Sequence, residues 1–77
     1  MKSACTYHVW HGGRNVYAIV RAYTAPEARQ IMRDKYGSGI IVALTLPAAL
    51  RDDPHALDGV TRTRKLKHGD IIRIRRK

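Results

Sequence analysis

Between Thr24 and Gly37 the chain carries a full set of helix start and stop signals, and strand signals flank it on both sides. Thr24 offers an N-cap hydroxyl, and Pro26 falls near the first turn, where a missing N–H costs nothing. Glu27 stands three residues after the cap, the spacing of a capping box, and puts an acid at the positive end of the helix. Ala28, Ile31, Met32 and Tyr36 (or Lys35) then recur at helical spacing as one apolar stripe, while Gln30, Arg33 and Asp34 point elsewhere. Gly37 is placed to stop the helix with a left-handed cap. One amphipathic helix among strands restricts the chain to a mixed fold, with the stripe laid across a sheet.

Strand signals lie on both sides of this helix. Ala4 to Trp10 favours a pleated surface, and His11-Gly12-Gly13-Arg14-Asn15 reads as a hairpin turn. Val16 to Tyr23 alternates, with Val16, Ala18, Val20 and Ala22 on one face and Tyr17, Ile19, Arg21 and Tyr23 on the other. Ile40 to Leu46 is almost continuously apolar, which predicts a central, well-covered third strand ended by Pro47. Residues 47–60 read as a loop that allows a short helical turn at Ala48 to Arg51. Thr61 to Lys67 and Ile71 to Arg75 alternate around a turn at His68-Gly69-Asp70, so residues 61–77 read as a basic hairpin. A disordered basic tail is the rival, opposed by Leu66, Ile71, Ile72 and Ile74. The expected fold is a small single α+β domain: a β-hairpin, one helix on a sheet of three to five strands, and a basic C-terminal β-hairpin. Val20, Val42 and Leu44 are expected beneath the helix, and strand 2 to strand 3 is expected to cross over right-handedly if the two are parallel in one sheet.

Size limits what such a fold can enclose. A chain of 77 residues buries only about 60% of the surface its unfolded form exposes, enough for one thin core. Cys5 is the only cysteine, so no internal disulfide forms and a reducing compartment is expected. The apolar run from Ile40 to Leu50 is broken by Thr45 and Pro47 and is far shorter than the roughly 20 residues of a membrane-spanning helix. No signal peptide is expected, and the expected location is the cytoplasm.

Charge is what points to function. Residues 60–77 hold Arg62, Arg64, Lys65, Lys67, Arg73, Arg75, Arg76 and Lys77 against one acid, Asp70, a net of +7 out of the chain's +9. Such a block attracts polyanions at range and releases counterions on meeting phosphate. If these cations lined two paired strands, like charges would face each other at a cost that a polyanion relieves. Protection of an edge strand against aggregation is the plainer explanation, but it seldom needs eight cations. The block therefore predicts nucleic acid as partner, DNA or RNA, with an acidic protein surface as the alternative and homodimerisation compatible with either.

Other residue groups carry weaker signals. Tyr17 and Tyr23 share a face with Arg21, a stacking platform for bases if that face is open and core filling if it is not. Trp10 and Tyr7 lie on the same hairpin. His8, His11, His55 and His68 lack metal-ligand spacing, and His8 and His11 are expected on opposite faces, so surface or phosphate-contacting histidines are expected and no metal or other cofactor. An RNase-like site drawn from His68 with Arg64 or Arg73 has no spacing to support it, so no enzymatic activity is expected. Asp52, Asp53 and Asp58 lack the spacing of a calcium loop and read as solvated acids beside the basic block.

The run Val20-Arg-Ala-Tyr-Thr-Ala-Pro-Glu-Ala-Arg, followed by Tyr36-Gly37, resembles strand–helix–strand units in small proteins of phages, plasmids and other mobile elements. Through Gly37-Ser38 it is also distantly similar to a small archaeal ribosomal protein. The resemblance covers residues 16–46 and implies the strand–helix–strand fold. It lends no functional residue, and the basic block lies outside it.

Overall fold

The structure is a computed structural model and describes residues 3–57 and 66–74. Its elements in chain order are β1 (Cys5–His11), β2 (Val16–Ala22), α1 (Ala25–Tyr36), β3 (Ile41–Thr45), α2 (Leu46–Asp52) and β4 (Ile71–Ile74). They form a small α+β domain around one four-stranded sheet of order β3-β1-β2-β4, antiparallel at every step. β1 and β2 make the expected hairpin. Two antiparallel steps separate β2 from β3, so those strands run parallel, with β1 between them. The β2–α1–β3 crossover thus spans an inserted strand.

Thr24 Oγ1 accepts from the backbone N–H of Glu27 at 3.2 Å, and Glu27 Oε1 accepts from that of Tyr23 at 2.9 Å. Cap and acid thus satisfy two N–H groups at the start of α1. At the other end Gly37, with φ +92, donates to the Arg33 carbonyl at 2.7 Å. The stripe performs as expected. Ala28 and Met32 are fully buried, and Ile31 and Tyr36 pack at its margins against Tyr7, Val9, Val16, Ala18, Val20 and Ala22.

Register corrects two expectations. Val42 pairs with Trp10 and Leu44 with His8, so both lie on the sheet face away from α1, while Ile41 and Ala43 pack under it. A nearly continuous apolar run gives no parity, because either set of alternate residues fits a core face. Val20 does lie beneath α1. Among the described residues β3 is also an edge strand rather than a central one, with Val42 43% exposed.

Among the described residues there are two helices rather than one. Thr45 caps α2 by accepting from the Ala48 N–H at 3.4 Å, and Pro47 occupies its first turn, so the proline that ends β3 also starts a helix. α2 packs on β1 and β3. On the face opposite α1, His8, Ile19 and Ile74 are buried, as are Ala49 of α2 and Ala56 of the following turn, and none of these joins the α1 cluster. The sheet is therefore covered on both faces over much of its width. Among the described residues, no helix is long and apolar enough to cross a membrane.

His11 is the largest departure from a surface histidine. It is 1% exposed and lies under the α1 side of the hairpin turn. Its Nε2 lies 2.8 Å from the Gly37 carbonyl, and its Nδ1 accepts from the Arg14 N–H at 3.1 Å. A carbonyl can only accept, so the proton sits on Nε2. Arg14 Nε adds a bond to the Tyr36 carbonyl at 2.7 Å. Together they bind the β1–β2 turn to the end of α1. Gly39, at φ +149, lets the chain pass the imidazole: a Cβ there would meet the His11 ring at 3.0 Å. His8 is also buried, on the opposite face as expected.

Candidate nucleic-acid interface

The basic segment enters the sheet through a tight turn. Lys67 N–H donates to Asp70 Oδ2 and Asp70 N–H to the Lys67 carbonyl, both at 2.9 Å, with Gly69 at φ +88 between them. Asp70, the single acid of the block, is thus used to build the turn. Gly69 N–H donates to the Arg21 carbonyl at 2.8 Å, and Arg21 N–H to the Asp70 carbonyl at 3.0 Å, which starts the β2–β4 ladder.

β4 then alternates as its sequence predicts. Ile74 is 4% exposed and Ile72 half-buried on the face away from α1, while Arg73 is exposed on the opposite face across from Ala18. β4 pairs with β2 on one side; of the hairpin arm expected at residues 61–67, residues 61–65 lie outside the described residues. Leu66 and Lys67 lie outside any strand. On the β2 side Arg73 faces Ala18, and the cations expected opposite it, Arg62, Arg64 and Lys65, lie outside the described residues. Pairing with β2 lets Ile72 and Ile74 extend apolar rows already set by Ile19 and Tyr17, which local alternation cannot reveal. Among the described residues no strand pairs on the outer side of β4.

Two further contacts fix the turn. His68 Nε2 meets Glu27 Oε1 at 2.7 Å, and the His68 ring stacks on Tyr23 with centroids 4.2 Å apart. The start of α1 and the start of the basic strand thereby share one anchor. No local sequence signal links Glu27 to His68.

The remaining candidates are distributed around this anchor. Lys67 is exposed in the turn. Arg21 is half-buried and donates from Nη1 to Thr6 Oγ1 at 2.8 Å. Tyr17 is half-buried between His8 and Trp10, with ring centroids 5.7 and 6.4 Å away, beside the fully buried Ile19. Tyr23 is 37% exposed and holds His68 on one ring face. Arg21, Tyr23, His68 and Lys67 thus converge where β2 ends and β4 begins, whereas Tyr17 lies towards the hairpin turn. Arg62, Arg64, Lys65, Arg75, Arg76 and Lys77 lie outside the described residues. Among the described residues no group of three or more His, Cys, Asp or Glu could hold a metal ion.

Comparison with known proteins finds no matching family model, curated protein or solved structure.

Proposed function

We propose that this chain is a non-enzymatic cytoplasmic protein that binds nucleic acid through phosphate contacts of its C-terminal basic segment. The observation that supports the reading is that β4, which lies within the +7 stretch of residues 60–77, pairs with the sheet, with Ile74 buried and Arg73, one residue earlier, exposed. Eight cations within eighteen residues repel one another, and a polyanion offsets that cost. Lys65, Lys67, Arg73, Arg75 and Arg76 supply most of the affinity, helped by Arg62, Arg64 and Lys77. Phosphate contacts position a ligand without reading its sequence, so specificity is low. Arg21 and Tyr23 extend the surface at the turn.

The test is binding of labelled single- and double-stranded DNA and RNA by the full chain and by a variant with Arg73, Arg75, Arg76 and Lys77 all replaced by Ala. Binding by the parent and its loss in a folded variant support the reading, and the preferred ligand names the class. Equal binding by the two proteins, or none by the parent at low salt, overturns it.

A further inference from the structure

The two edges of the sheet are protected very differently. β4 carries Arg73 and neighbours a dense run of cations, the usual defence of an edge. β3, Ile41-Val42-Ala43-Leu44-Thr45, has no charge, no proline and no glycine, and among the described residues no strand covers its outer side. Of the four large apolar side chains most exposed among the described residues, three lie here: Ile40 at 72%, Val42 at 43%, and Leu50 of α2, which packs on β3, at 38%. An uncharged edge flanked by exposed aliphatics is a template for strand addition.

We infer that β3 pairs with β3 of a second copy, antiparallel about Ala43, to give a two-fold dimer with one continuous eight-stranded sheet. The register follows from the hydrogen-bond alternation. Gly12 N–H donates to the Ile40 carbonyl at 2.8 Å, so residues 40, 42 and 44 bond inward to β1. Ile41 and Ala43 then direct their N–H and C=O groups outward, as Thr45 does its N–H, while the Thr45 carbonyl serves α2 as its N-cap. Centring the pair on Ala43 sets Ala43 against itself, Ile41 against Thr45 and Val42 against Leu44. The five-residue strand reads nearly the same in both directions: β-branched, aliphatic, alanine, aliphatic, β-branched. That self-complementarity favours a second copy over an unrelated partner. Electrostatics agrees. The dimer puts the two β4 strands at opposite ends, seven inter-strand spacings or roughly 34 Å apart, beyond a Debye length of about 8 Å, so the basic segments barely repel. Five paired residues per copy are fewer than in a standard interface, so the dimer is concentration-dependent.

The experiment is sedimentation of the full chain, freed of nucleic acid, over a range of concentrations in about 1 M salt, where charge contacts are screened to roughly 3 Å. The mass should rise from 8.7 kDa towards twice that value. Val42→Lys should stay monomeric with an unchanged circular dichroism spectrum, and Arg73→Ala should dimerise like the parent. In a Cys5→Ser background, Val42→Cys with Leu44→Cys tests register without relying on stability. Those positions form a non-hydrogen-bonded pair across the two-fold, close enough for a disulfide. Oxidation should yield a covalent dimer. A monomer at every concentration, a dimer that survives Val42→Lys, or no cross-link overturns the inference. None of these results depends on nucleic-acid binding.

Discussion

Glu27 Oε1 and His68 Nε2 meet at 2.7 Å across a separation of 41 residues, joining the capping box of α1 to the turn that launches the basic strand. The same carboxylate oxygen accepts from Tyr23 N–H, whose side chain stacks on His68. Both side chains are partly in solvent, 45% for His68 and 36% for Glu27, so the pair is an alignment device more than a source of stability. A double-mutant cycle with Glu27→Gln and His68→Ala should give a coupling of about 0.5–1 kcal/mol in urea unfolding. Strictly additive effects would show that the contact does not hold the turn to the helix.

His11 should be far more costly to replace than either of these. His11→Ala removes a fully buried ring and leaves the Gly37 carbonyl and the Arg14 N–H without their partner. The expected loss is about 3 kcal/mol, combining cavity and unsatisfied polar groups. His11→Phe refills most of the volume but restores neither bond, so it should still cost about 2 kcal/mol. Chemical denaturation of the two variants separates the terms; a fully stable Phe variant would show that the bonds contribute nothing.

Gly37 isolates a backbone effect. A Cβ there would meet nothing within 4 Å, yet φ is +92. Gly37→Ala should therefore destabilise by about 1 kcal/mol through left-handed strain alone, readable as a lowered thermal midpoint with an unchanged unfolding slope. No change in midpoint would mean that the cap relaxes freely.

Ile74 and Arg73 should separate order from charge. Ile74→Ala opens a cavity in the face away from α1 and should cost about 2–4 kcal/mol in stability. Arg73→Ala should leave stability within about 0.5 kcal/mol and reduce the salt slope of nucleic-acid binding by about 1. Destabilisation of the fold by Arg73→Ala would show that its side chain is structural.

Much of this fold is legible in the chain itself. Thr24, Glu27, Gly37 and the stripe from Ala28 to Tyr36 act locally, so their roles survive into three dimensions. The alternation of Ile72, Arg73 and Ile74 likewise fixed which side chains turn inward. What stayed hidden depends on partners remote in sequence. A uniformly apolar β3 cannot declare whether Val42 or Ala43 faces α1, nor that β1 will insert between it and β2. β4 has the alternation of a hairpin arm, but only the apolar rows led by Tyr17 and Ile19 make β2 its partner. Thr45 and Pro47 do carry cap and first-turn signals for α2, overshadowed by the same proline's role in ending β3. His11 looks like a turn histidine until Gly37 and Gly39 come alongside it. For the candidate interface, the sequence identified the cations, and folding added the anchor of Glu27, His68 and Tyr23.

Phosphate binding by the basic segment shows itself in the salt dependence of affinity. If about five phosphates of duplex DNA are neutralised, log K should fall against log salt with a slope of roughly −4 to −5. That slope in the full chain, flattened when Arg73, Arg75, Arg76 and Lys77 are replaced, is the predicted result. Affinity that does not change with salt would contradict a phosphate-binding segment and leave the +7 charge to another partner.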